Sequence, residues 1–195
     1  MIDMKSLFAL LLVPVCAGCL TAHVPAVSDW GVVPVVSDRS PSPAPAFGVA
    51  RLSQVVVCSP YDARPMLAGR SDGPFASDAY NQFVAVPSRL LKEPARAALE
   101  SSGRFAAVVG PTSAASVTHV VELTVTDLRL DCTAAEDGSE RREAVAAVSV
   151  IVLDMNRRIV GSARGVARVD ARSGDYGSAF SAVFTKALDN AMAEF

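Results

Sequence analysis

The chain has 195 residues, 51% of them hydrophobic and 19% charged, with a formal net charge of −2. That composition excludes a disordered polar chain, and the lack of any basic excess excludes a protein built to grip a nucleic-acid backbone.

Leu7 to Val15 is a short apolar run. A membrane-spanning helix needs about 20 such residues, so this run reads as the hydrophobic region of a signal peptide. Cys16-Ala17-Gly18-Cys19 follows and resembles a lipobox, with small residues before the cysteine and cleavage between Gly18 and Cys19. It departs from the usual pattern at Cys16, where leucine is common. Asp3 offsets Lys5 in the leader, and Met4-Lys5 is the more typical beginning, so the start is Met1 or Met4. Residues 1–18 are expected to be a lipoprotein signal peptide. Cys19 is expected to carry diacylglycerol and an N-acyl chain, with no other cofactor. Removing the leader leaves 195 − 18 = 177 residues, enough for one domain with a real core.

Residues 19–48 contain Pro25, Pro34, Pro41, Pro43 and Pro45 with serines among them. Such a stretch sustains neither a helix nor a central strand and is expected to be a flexible spacer, with part of Trp30 to Val36 packing on the domain. Leu20 is not the aspartate that retains enteric lipoproteins in the inner membrane. The expected location is therefore the periplasmic face of the outer membrane.

The folded domain is expected over residues 49–195. Leu52 to Cys58 reads as a strand, and Tyr80 to Val86 as a second extended segment. Pro87 to Ser102 reads as a helix with Leu90, Leu91, Ala95, Ala98 and Leu99 on one face. Pro94 predicts a kink or a late start, and Gly103 the stop. Phe105 to Val109 is a short strand. In Thr118 to Leu130, Val121, Leu123 and Val125 share one face and Leu128 and Leu130 the other, which predicts a bulge near Thr126 and Asp127. Asp137-Gly138 suits a hairpin turn. Glu143 to Asp154 is nearly all apolar, as for a strand covered on both faces.

From Ile159 to Ala171 the pattern alternates. Ile159, Gly161, Ala163, Gly165, Ala167 and Val169 face one way, and Arg164, Arg168, Asp170 and Arg172 the other. Small inward residues let a helix approach closely. That helix starts at Asp175 and carries the apolar stripe Phe180, Val183, Phe184, Ala187, Leu188, Ala191, Met192 and Phe195. The expected fold is α+β: a two-layer sandwich with a mixed, mostly antiparallel sheet, a C-terminal three-strand meander, and two helices on one face.

The runs Ser59-Pro-Tyr-Asp-Ala-Arg-Pro-Met-Leu-Ala-Gly-Arg70, Asp78-Ala-Tyr-Asn-Gln-Phe83, Pro87-Ser-Arg-Leu-Leu91 and Ser102-Gly-Arg-Phe105 resemble the ABC-type transport auxiliary lipoproteins. These are PqiC-like partners of MCE lipid-transport systems. The resemblance covers most of the chain. It implies an auxiliary role in lipid transport between two membranes, with an MCE-family periplasmic protein and an ABC permease and ATPase as partners, and a homo-oligomer as one arrangement. A regulatory envelope lipoprotein that contacts a cell-wall enzyme, without lipid cargo, is the alternative.

Chemistry that would argue for an enzyme is missing from the sequence. No nucleophile elbow, zinc-type histidine pair or phosphate-cradling glycine loop occurs, so neither catalysis nor a metal is expected. His23 falls in the spacer and His119 reads as an ordinary strand residue. Asp127 and Asp131 flank a strand end, ordinarily a solvated edge. Cys58 and Cys132 leave two readings open: a disulfide, adding about 3–5 kcal/mol on the chain-entropy model, or two thiols acting as small hydrophobes. Arg64, Met66, Leu67, Arg70 and Asp72 likewise read either as a partner-docking loop or as a surface connection with a local salt bridge.

Overall fold

A computed structural model describes residues 26–35, 44–134 and 139–195. The signal peptide, Cys19, His23 and the Asp137-Gly138 turn lie outside them. The longest strand organises the rest. Strand β6 (His119–Ala134) is 16 residues long, or about 50 Å at strand rise. One of its edges is paired along its whole length with β7 (Glu140–Asp154), and β7 pairs in turn with β8 (Ile159–Asp170), giving the expected antiparallel meander.

The other edge of β6 is shared. Its first half runs parallel to β2 (Phe47–Val57), from Ala50 opposite His119 to Val57 opposite Val125. Its far end runs parallel to β3 (Pro65–Gly69), with Ala68 opposite Leu130. Beyond β3 come β4 (Phe75–Phe83), antiparallel to it, and then β1 (Ser28–Trp30), parallel to β4. Strand β5 (Phe105–Val109) lies parallel on the outer side of β2. The described residues therefore form one mixed sheet of eight strands, in the order β1-β4-β3-β6-β2-β5 with β7 and β8 branching from β6.

Helices cover one face. The predicted first helix is two pieces, α1 (Pro87–Leu90) and α2 (Lys92–Ser101), broken at Leu91. Pro94 explains the break: it has no N–H for the Leu90 carbonyl and its ring crowds that group. Gly103, at φ 68°, ends α2 as expected. The last helix, α3 (Tyr176–Met192), lies against the meander with Phe180, Val183, Phe184, Ala187, Leu188, Ala191 and Met192 buried. Asp175 occupies its N-cap position but makes no side-chain capping bond.

The register of β6 shifts between Val125 and Asp127, so Thr126 is the predicted bulge. Val121, Leu123 and Val125 before it, and Leu128 and Leu130 after it, are all buried in one core. A second irregularity corrects the row predicted on β8. The register slips between Val152 and Leu153, and Ile159 is 64% exposed rather than facing α3. The expected cover on both faces of β7 is also corrected. Its even-numbered residues Ala144 to Val152 are fully or nearly fully buried toward α3; on the other side Val145 is buried as well, while Ala147, Ser149, Ile151 and Leu153 are only partly shielded. Apolar character along β7 therefore does not imply a second layer.

Part of the expected spacer is integral to the domain. Trp30 donates its indole N–H to Asn81 Oδ1 at 3.0 Å and stands edge-on to Tyr176 at 5.6 Å between ring centres. Val32 is buried, and the Val33 amide donates to Ser181 Oγ at 3.0 Å. Burial of Trp30 and Val32 outweighs the extended, proline-flanked character of this segment.

Close approach of α3 depends on glycine. A Cβ on Gly165 would run into the Ala187 carbonyl and lie 2.6 Å from the Ala191 nitrogen, both backbone atoms of α3. Backbone cannot swing aside as a side chain can, so the helix must lift from the sheet. Gly165→Ala is expected to lower unfolding free energy by about 3 kcal/mol, measured by urea denaturation; a change below about 0.5 kcal/mol would show that the helix does not rest on this residue.

Candidate functional site

The helix-free face of the meander carries a line of charges at the far end of β6. The bulge at Thr126 sets it up. Beyond it the even-numbered residues face the helices, so Asp127, Arg129 and Asp131 turn to the opposite face. Cross-strand register places Asp131 beside Glu143 and then Asp170, and Arg129 beside Val145 and then Arg168.

These groups form an alternating chain. Arg129 Nε donates to Asp127 Oδ2 at 3.0 Å, and Arg129 Nη1 lies 3.7 Å from Asp131 Oδ2. Arg168 Nη1 donates to the same Asp131 oxygen at 2.6 Å and, more weakly, to Glu143 Oε2 at 3.4 Å. Arg141 closes the line, 3.3 Å from Glu143 Oε1 and 2.7 Å from Asp170 Oδ1. The turn between β3 and β4 covers the inner end. Ser71 donates its hydroxyl to Asp131, and the Arg129 guanidinium sits 4.3 Å from the centre of the Phe75 ring.

Asp131 is only 2% exposed, which corrects the expectation of a solvated edge. Burial pushes its carboxyl upward, but the Ser71 hydroxyl, the Arg168 guanidinium and the charge on Arg129 outweigh that and hold it below the usual carboxylate range. Tyr61, on the loop beside Asp127, is pushed up by burial and by the Asp127 carboxylate. Asp131 thus stays ionised and Tyr61 protonated near neutral pH, which suits a clamp and leaves neither poised to exchange a proton there. No group of three or more histidine, cysteine or acidic side chains is arranged to hold a metal among the described residues.

The residues singled out in the sequence divide among different roles. Arg64, Met66, Leu67, Arg70 and Asp72 do not make one loop, because residues 65–69 are strand β3. Arg64, just before it, donates through Nε to the Phe83 carbonyl at 3.0 Å and through Nη2 to Asp29 Oδ1 at 2.9 Å, tying β1 to the hairpin. Met66 is fully buried and Leu67 partly so. Arg70 and Asp72 form an exposed two-bond pair at 3.0 and 3.2 Å, the local salt bridge of the second reading. The residue of this segment that reaches the charge line is Ser71, for which the sequence offered no signal.

Cys58 and Cys132 are free thiols. Cys58 follows Val57, which pairs with Val125, and Cys132 lies seven residues further along β6, about 20 Å away. A disulfide needs Cα atoms within about 7 Å, so the bridge does not form. Burial and the Glu140 carboxylate push the Cys132 thiol up, away from a reactive thiolate. His119 shares its Nδ1 with the Thr118 hydroxyl at 2.9 Å and stands edge-on to Phe47 at 5.4 Å.

No family model and no curated protein matches the sequence. Among solved structures, the chain is similar to a Xanthomonas campestris protein of the DUF330 family, with TM-score 0.61 and 18% identity over 86% of this chain and 91% of that one. The two chains share a fold. A second crystal structure, described as that of an uncharacterized protein, superposes with TM-score 0.56 and 13% identity over 86% of this chain and 96% of the other. A PelC chain from Paraburkholderia phytofirmans superposes only loosely, at TM-score 0.42 and 22% identity over 78% of this chain.

Losing the Asp131 carboxylate strips Ser71 of its acceptor, leaves Arg168 only its weaker bond to Glu143, and leaves Arg129 under-compensated in a buried position. Asp131→Ala is expected to cost about 3 kcal/mol in urea unfolding. Because the folded carboxyl lies below its unfolded value, its contribution is full above about pH 4 and fades as pH falls through the folded value. The native protein should therefore lose stability below about pH 4 more steeply than Asp131→Asn; identical acid profiles would contradict this assignment.

Proposed function

We propose that this chain is a lipid-anchored envelope lipoprotein of the PqiC-like kind, held by acylated Cys19 on the periplasmic face of the outer membrane. There it serves as a non-enzymatic auxiliary subunit of an ABC/MCE-type system that moves lipid between membranes. The observation that carries the reading is the agreement of two separate parts of the chain. Ala17-Gly18 followed by Cys19 reads as a lipobox, and the domain shares its fold with a DUF330 protein, in keeping with the PqiC-like family that the sequence runs from Ser59 to Phe105 resemble. No helix among the described residues is long and apolar enough to cross a membrane. The charge line at β6 fits a rigid subunit that works by position and contact. Asp131 and its arginines hold the β3–β4 turn to the meander.

Two measurements test the reading. Cys19→Ser is expected to block lipidation and processing and to release or mislocalise the protein; unchanged processing and membrane association would remove the anchor. Crosslinking the native protein in membranes, followed by mass spectrometry, is expected to recover an MCE-family protein. Recovery of cell-wall synthases in its place would favour the regulatory alternative.

A further inference from the structure

The turn between β7 and β8 holds Arg157 at φ 62°, the one non-glycine residue with a positive φ among the described residues. The Asp154 amide donates to the Arg158 carbonyl at 2.9 Å, and the Arg157 amide to the Asp154 carbonyl at 3.0 Å. These bonds close a tight hairpin over Met155, Asn156 and Arg157. The last position of such a loop is left-handed and ordinarily taken by glycine or asparagine. An arginine there is strained, and strain of this kind gathers at sites that use the side chain. Asp154 stiffens the turn: its Oδ1 accepts the Asn156 amide at 2.8 Å and the Arg158 amide at 2.9 Å.

The tip stands clear of the fold, and every residue from Met155 to Val160 is exposed. Met155 is 61%, Ile159 64% and Val160 46% exposed, so three apolar side chains meet water on one short turn. A depression of about 590 Å³ behind them, with Val120, Leu153 and Met155 in its lining, carries the apolar surface onto the helix-free face. Arg157 and Arg158 lie between the apolar residues in the chain. Neither forms an ion pair with a described residue. The nearby acids stand behind them. Asp154 is at the base of the hairpin and engaged by its amides, and Glu122 lies opposite Ile151, further in. The outermost charges are therefore both positive.

We propose that the β7–β8 tip is a membrane-contact site: Met155, Ile159 and Val160 enter the headgroup layer of an anionic phospholipid surface, and Arg157 and Arg158 bind its phosphates. Exposed apolar side chains beside unpaired cations on a convex turn suit the membrane interface, where the apolar part reaches the acyl boundary and the guanidiniums stay with the headgroups. The length of the tether favours a bilayer over an acidic protein. Asp29 is opposite Gln82, Gln82 opposite Pro65, and Ala68 opposite Leu130, so β1 stands about level with Asp127 and its partner Ala147. Asp154 is 154 − 147 = 7 residues beyond Ala147 on β7, about 24 Å at strand rise. From an acylated Cys19 to Ser28 the chain reaches at most roughly 30 Å, so lipid and tip can meet one surface. That proximity rests on the anchoring reading, whereas the chemistry of the tip does not.

The test reconstitutes the full-length protein, purified from membranes, into vesicles of brominated phosphatidylcholine and phosphatidylglycerol and reads tryptophan quenching. Trp30 is the single tryptophan of the chain, so the unsubstituted protein gives the background. Met155→Trp is expected to add a quenched signal, and Val166→Trp, on the same strand and 59% exposed at present, an unquenched one. Adding Arg157→Gly and Arg158→Gln to Met155→Trp is expected to remove more than about half of that quenching, as is leaving out the anionic lipid. Glycine suits the left-handed position, so the hairpin survives the change. No quenching at position 155, equal quenching at 155 and 166, or indifference to the arginines and to the anionic lipid would overturn the proposal. So would a tip that is unquenched and crosslinks to a protein in native membranes, which would assign it to a protein partner. The mass of the same sample reports whether Cys19 is acylated, so a failed anchor and a failed tip are told apart.

Discussion

One extra residue at Thr126 governs the molecule. Without the bulge, Leu128 and Leu130 would face away from the helices and Arg129 and Asp131 into the apolar core. With it, a strand of 16 residues buries hydrophobic side chains on one face throughout, and its second half is free to carry charge on the other. The bulge also falls where the neighbours of β6 change, from β2 up to Val125 to β3 from Leu130. The sheet is thus two parallel attachments to one long strand, and the loop that carries Tyr61 crosses the gap between them.

Elements with a strong internal period were legible in the sequence. The alternation of β8, the stripe of α3, the proline break between α1 and α2, and the bulge itself all follow from spacing alone. What could not be read was decided by distant partners. Strand β3 begins with proline, ends with glycine, and is fixed by pairing with β4 on one side and two residues of β6 on the other. Strand β1 is three residues in a segment rich in proline, and it exists because Trp30 finds Asn81 and Tyr176. Local propensity carries no record of such contacts.

The same limit applies to the charge line. Asp127, Arg129, Asp131, Arg168 and Glu143 each look like ordinary surface residues in their own strands. Only the register of three strands brings them together, and only the β3–β4 turn buries Asp131. The hint in the sequence was the alternation of opposite charges at positions 127, 129 and 131, which is informative once it is known that the strand continues past Leu130. Arg64, singled out as a candidate for docking, instead ties the chain to itself through Phe83 and Asp29.

The docked segment around Trp30 changes the geometry of attachment. If the lipid is on Cys19, the tether ends at Ser28, a separation of 28 − 19 = 9 residues and at most roughly 30 Å of extended chain. The domain is then moored close to the bilayer and cannot roam at the end of a long leash. Strand β1 stands at one end of the main strand order and β5 at the other, with β2 next to it. A mooring at β1 therefore ties the lipid to one end of that order and leaves β5 at the far end.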